Sequence, residues 1–236
     1  MIRATYAVTL LAILTLVGCS TSGREVRSDV TPATAAPFDI VRAVVMLQGE
    51  DVIFRMEVRD GAGGDTPRAT GALEGSRVYA YLWPTTLDTA AVGFEAGQGI
   101  LALAVTSHPD FDDAPDGRRN RDVWHTHWLV LVPDEACGPT GLKVRDIPQG
   151  ATPRVPRTWP GLALLVDSPD LPPTFVGSAV EVRVPRDAVD GVAGMRFDGI
   201  TAAFRVSADL DAPLLCMTDV FDVASGDLRV WVDGAR

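Results

Sequence analysis

The sequence predicts an all-β chain, an antiparallel β-sandwich or barrel-like sandwich of about ten strands. Three observations lead there. Apolar and polar residues alternate with period 2 in one segment after another between Phe38 and Val232. Joints rich in glycine and proline separate these segments. No stretch of about 12 residues keeps the 3.6-residue apolar period of a helix.

The elements follow in chain order. Residues 38–47 and 52–58 flank Gln48-Gly49-Glu50-Asp51. Val52, Phe54, Met56 and Val58 alternate with Ile53, Arg55 and Glu57, the pattern of a half-buried strand, and the short glycine-containing connection makes the pair a hairpin. Residues 60–71 are turn-rich. Residues 78–83 form the next strand, with Tyr79, Tyr81 and Trp83 on one face and Pro84 at its end. Residues 99–108 (GILALAVTSH) and 122–132 (DVWHTHWLVLV) read as two strongly apolar strands joined by the polar loop 109–121. Weaker strands are expected at 142–145, 162–166, 179–184, 201–206, 214–220 and 228–232. Prolines at 153, 156, 160, 169, 172 and 173 break them, and 187–195 offers one short helical turn. With no internal repeat and no inner linker, 38–236 reads as a single domain.

Charge excludes one function class. The chain has 21 basic and 31 acidic residues, a formal net charge of −10, so it carries no electrostatic footprint for nucleic acid. The N-terminus suggests a compartment. Arg3 precedes an apolar run from Tyr6 to Val17, too short to cross about 30 Å of hydrocarbon, so residues 1–18 read as a removable export signal. Leu16-Val17-Gly18-Cys19 resembles the lipobox of bacterial lipoproteins. The resemblance implies that Cys19 is acylated and becomes the first residue. Ser20 after it implies the outer membrane, with the domain facing the periplasm or the surface. Each buried CH₂ of the acyl chains would contribute about 0.8 kcal/mol to anchoring. Residues 19–37, rich in Ser, Thr, Ala and Pro, then read as a lipidated flexible tether.

With Cys19 assigned to lipid, Cys137 and Cys216 remain in an oxidising compartment, which predicts a disulfide. A free buried pair and thiol chemistry are the alternatives; neither cysteine sits in a CxxC motif or beside a histidine.

The chemical signal lies in the histidines. All three, His108, His125 and His127, fall within 20 residues of sequence. On a strand, His125 and His127 share a face, about 6–7 Å apart along the backbone. His108 ends the preceding strand and reaches the same point if the two strands are neighbours. Ala102, Ala104 and Thr106 share its face and leave room. Imidazoles with a carboxylate suit Zn²⁺, with Cu²⁺ or Fe²⁺ as alternatives, and Asp110 or Asp112 from the intervening loop are the candidate fourth ligands. The competing reading leaves all three histidines as ordinary strand residues. Asp110, Asp112, Asp113 and Asp116 also suggest calcium, although the EF-hand spacing is not met and Arg118, Arg119 and Arg121 offset their charge.

Two further resemblances concern function. His125-Thr126-His127-Trp128 resembles the His-x-His-Trp strand of the alpha-type carbonic anhydrases, which implies zinc on both histidines and a third ligand from a neighbouring strand. No histidine follows His127, so that third would be His108. Residues 39–45 and 49–58, with Val182-Arg183-Val184-Pro185 later, resemble family 9 carbohydrate-binding modules and DOMON domains. That likeness implies a sandwich binding an extracellular glycan or another small ligand. Trp83 and Trp159, at strand ends beside prolines, are the candidate sugar platforms, whereas Trp124 and Trp128 read as core. There is no G-x-S-x-G, and Ser107 and His108 point to opposite faces, so nucleophilic catalysis has no support. Four functions therefore stand open: a metal-binding lipoprotein, a ligand-binding module, a zinc hydrase or hydrolase, and a structural envelope protein.

Overall fold

Period-2 alternation builds two antiparallel sheets. The structure is a computed structural model describing residues 23–207 and 214–225. It contains twelve strands there: β1 (Gly23–Arg27), β2 (Ile40–Gln48), β3 (Asp51–Val58), β4 (Arg77–Pro84), β5 (Ile100–Ser107), β6 (His125–Pro133), β7 (Leu142–Val144), β8 (Val166–Asp167), β9 (Thr174–Val176), β10 (Ala179–Pro185), β11 (Gly199–Val206) and β12 (Leu215–Ala224). Short 3₁₀ turns are the only helical elements among the described residues, one of them at Arg186–Ala188, overlapping the start of the helical turn expected at 187–195. Expected strand 228–232 lies outside the described residues.

The first sheet runs in the order β1-β2-β3-β10-β9. The second runs β5-β4-β11-β12-β7-β6, with β8 on the flank of β6, and β5 pairs back onto β6. That last pairing closes six strands into a barrel, so the fold is a barrel with a five-stranded sheet packed against one side.

Two apolar layers result. Inside the barrel lie Val78, Ala80 and Leu82 of β4, Ala102 and Ala104 of β5, Leu129 and Leu131 of β6, and Ile200, Ala202 and Phe204 of β11. The alanines fit the narrow interior of a six-stranded ring. The opposite faces of the same strands, Tyr81, Trp83, Leu101, Leu103, Val105, Trp128 and Val130, pack on Val45, Phe54, Met56, Val180 and Val182 of the first sheet. Burial on both faces explains why 100–105 is apolar throughout rather than alternating. Gly199 marks a close approach of the two sheets. A Cβ there would sit 2.7 Å from Cβ of Ala43, so only glycine fits without movement.

The N-terminal boundary differs from expectation. Residues 19–37 do not behave as a free tether from Gly23 onward. β1 pairs with β2 from Gly23↔Met46 to Arg27↔Arg42, and Thr34 Oγ1 donates to the Phe221 carbonyl at 3.1 Å. An edge strand requires only backbone hydrogen bonds along one side, so apolar periodicity does not announce it. Arg42, bridging Glu25 and Glu57 across the three strands, adds a charge ladder. Cys19 and residues 1–18 lie outside the described residues.

Cys137 and Cys216 form the expected disulfide, with Cα atoms 5.2 Å apart. It ties the turn after β6 to β12 on the barrel wall. Closing 79 residues of sequence constrains the unfolded chain by about 4.5 kcal/mol on the entropy model.

Candidate metal centre

The register of β5 against β6 sets the site. Ala104 lies opposite His127 and Thr106 opposite His125. Even-numbered residues of β5 and odd-numbered residues of β6 face the barrel interior, so the side chains of His125 and His127 enter the mouth of the barrel. His108, just past the end of β5, follows Thr106 on the same face. The expected three-histidine grouping is therefore present, and β5–β6 adjacency produces it.

The fourth member is Asp113. His108 Nε2 lies 3.2 Å from Asp113 Oδ2 and 3.0 Å from His125 Nε2. His125 Nε2 is 3.1 Å from Asp113 Oδ1, and His127 Nε2 is 3.1 Å from Asp113 Oδ2. One ligand atom from each residue lies within 4.8 Å of all the others, and this group of His108, Asp113, His125 and His127 could hold a metal ion. A tetrahedron with zinc–ligand bonds of about 2.0–2.1 Å has edges of about 3.3 Å. The His108–His125 contact and the three contacts to Asp113, divided between its two oxygens, are near that length, and the whole set lies within 4.8 Å.

Each imidazole is held by its other nitrogen. His108 Nδ1 donates to the Phe111 carbonyl at 3.0 Å, His125 Nδ1 to Val123 at 2.9 Å, and His127 Nδ1 to Asp167 at 3.1 Å. A carbonyl only accepts, so each neutral ring carries its proton on Nδ1 and turns a bare Nε2 lone pair inward. Phe111 also stacks on His108, with ring centroids 3.9 Å apart and planes 3° from parallel. These are the outer contacts that fix ring orientation in metal sites.

Asp113 is clamped as firmly. Its backbone N–H donates to Asn120 Oδ1 at 3.1 Å, and Asn120 Nδ2 donates back to Asp113 Oδ1 at 2.6 Å. Ser168 Oγ donates to its carbonyl. Burial pushes the Asp113 carboxyl up, but His127 and the close approach of the three imidazoles outweigh it and hold the group far below the usual carboxylate range. Burial pushes His125 down, against the opposing pull of Asp113. Burial acts on His127 in the same sense, but Asp113 more than offsets it and raises that ring.

The expected ligands Asp110 and Asp112 are not in the cluster. Asp110 accepts from the backbone of Thr70 and Gly71 and from Ser76 Oγ, pinning the neighbouring loop. Asp112 accepts from the backbone of Asn120 and Arg121 and turns the loop back toward β6. Asp116 accepts from the Arg118 backbone. Asp110, Asp112 and Asp116 are thus each bound to separate loop amides. Among the described residues, only the group of His108, Asp113, His125 and His127 gathers as a possible metal site. Asp113 was legible as one loop acid among several, with no sequence signal to rank it above its neighbours.

The two tryptophans expected at the surface divide, Trp83 lying in the core and Trp159 at the surface. Trp83 is fully buried between the sheets and Trp128 nearly so. Trp159 is partly exposed, with its indole N–H donating to the Leu164 carbonyl, and Trp124 donates to Gly63 and packs on Tyr81. Trp231 lies outside the described residues. Compared with known proteins, the chain matches no family model, no curated protein and no solved structure.

Proposed function

We propose that this protein is an exported lipoprotein whose barrel holds one divalent transition ion, zinc ahead of copper or iron, on His108, Asp113, His125 and His127. One observation carries the reading. Three imidazoles, each fixed with its proton on the far nitrogen, aim bare Nε2 atoms at one buried carboxylate. Neutral His108 and His125 would bring two lone pairs face to face at 3.0 Å. A cation at the centre turns that repulsion into four bonds. The mixed nitrogen and oxygen set, with no sulfur, suits zinc. Asp113 fills the fourth position that a zinc hydrase leaves to water, so the donor set favours binding over hydration chemistry. The lipobox-like Leu16–Cys19 supports the anchored location, with β1 beginning close behind it.

Untagged protein, stripped and titrated with Zn²⁺ by calorimetry, should take up one equivalent, and His125→Ala and His127→Ala should each abolish stoichiometric uptake. Absent binding, or binding that survives both changes, would return the histidines to a structural role. For the anchor, labelled fatty acid should enter the wild type and not Cys19→Ser; an unlabelled wild type ends the lipoprotein assignment.

A further inference from the structure

The metal cluster is also one wall of a cavity. A void of about 150 Å³ lies in the same end of the barrel. Thr106, His108, Asp113 and His127 line one side of it, and Val78, Leu129, Leu164, Val166, Phe204 and Leu215 line much of the rest. Leu73, which also lines it, is 50% exposed, so the void reaches the surface. A close-packed barrel interior has few voids larger than a water molecule. A dry cavity of about 150 Å³ lined by Leu, Ile and Phe is large enough to take up benzene.

We infer that this cavity binds a small apolar molecule, about the size of one aromatic ring, that carries a single acidic oxygen and presents it to the metal. The inference rests on the metal reading above. Zn²⁺ with one carboxylate and three neutral imidazoles leaves one uncompensated positive charge against apolar walls. Burying a charge without a partner is costly, and an anionic oxygen from the cavity side cancels it. A phenol meets both requirements. Its ring fills the void, its O–H bond breaks with the proton passing to solvent, and a zinc–oxygen bond forms as zinc expands to five-coordinate. No oxidant or reductant takes part.

The probes are 4-fluorophenol and fluorobenzene, followed by ¹⁹F NMR on the zinc-loaded and metal-free protein. Fluorobenzene should bind both forms alike. 4-Fluorophenol should bind the zinc form at least tenfold tighter than the metal-free form, and should shift the visible spectrum of Co²⁺-substituted protein. Val78→Phe, which fills the void from β4, should remove binding of both probes while elemental analysis still finds one zinc. Leu215→Phe fills it from β12 and covers the case in which the first variant misfolds. If fluorobenzene binds neither form, the cavity is not a ligand site. If 4-fluorophenol binds without zinc dependence, the oxygen–metal contact is wrong and the metal reading stands. If the protein takes up no zinc, the metal reading and the oxygen contact both fall, and fluorobenzene alone then decides the apolar half of the proposal.

Discussion

Asp113→Asn separates a metal ligand from a plain counter-ion, because the two roles predict opposite signs in metal-free protein. The amide keeps the shape of the carboxylate and removes its charge. With its oxygen still facing Asn120, its NH₂ group would occupy the place of Oδ2, 3.2 Å from His108 Nε2 and 3.1 Å from His127 Nε2. It would then donate to two lone pairs that the carboxylate cannot satisfy. Metal-free Asp113→Asn should therefore be as stable as metal-free wild type, or more so. Zinc reverses the order. Loss of an outer contact typically costs 10–100-fold in metal affinity, and loss of the only anionic ligand should cost at least about 100-fold. At a zinc concentration 100 times the wild-type Kd, the wild type gains about 2.7 kcal/mol, whereas the variant, then near its own Kd, gains about 0.4 kcal/mol. At about 2–4 °C per kcal/mol for a domain of this size, zinc should raise the wild-type Tm by about 5–11 °C and the variant's by about 1–2 °C. Scanning calorimetry with and without zinc reads all four values. If metal-free Asp113→Asn instead loses about 3–5 kcal/mol, as expected for one side of a broken buried ion pair, and zinc moves neither Tm, then Asp113 serves only to pair with protonated histidine.

Asn120→Ala releases the clamp on Asp113 and should weaken zinc about 10–100-fold in a competition titration with little change in fold. Gly199→Ala places a methyl 2.7 Å from Ala43 Cβ, and the sheets must part to admit it; denaturant unfolding should show a loss of about 1–3 kcal/mol with unchanged zinc stoichiometry. The hydrogen bonds from Arg42 lower Glu57 from 4.5 to about 2. The folded state thus favours the ionised form, and this contribution is complete above pH 4.5 and lost as the pH falls through 2. Glu57→Gln should flatten that part of the stability profile. Reducing Cys137–Cys216 should lower stability by up to about 4.5 kcal/mol, read as a drop in the denaturation midpoint.

The strands were legible because period-2 alternation is a local property, and the side chains of 52–58 report their own burial. The same periodicity placed His125 and His127 on one face, and counting cysteines, with export expected from the N-terminus, pointed to Cys137–Cys216. Pairing is not local. Nothing within 99–108 or 122–132 states that β5 closes back on β6, or that Ala104 stands opposite His127, yet that register brings His108 to the other two rings. Trp83 was misplaced for a related reason: the proline beside it signals a strand end, but burial there depends on the second sheet, whose Phe54 packs against it with ring centroids 6.1 Å apart. Edge strand β1 went unread because backbone hydrogen bonding leaves no trace in composition.

The loop acids show the division most sharply. Asp110, Asp112 and Asp113 have the same side chain within four residues of one another, and sequence chemistry cannot rank them. Their roles separate only when the loop folds back. The Thr70–Gly71 backbone then captures Asp110, the Asn120 and Arg121 amides capture Asp112, and the Asn120 side chain turns Asp113 inward. By itself the sequence determined an all-β chain with its histidines gathered on two strands. Which carboxylate joins them, and that a cavity opens beside them, was decided by tertiary structure, because both depend on distances between segments far apart in the chain.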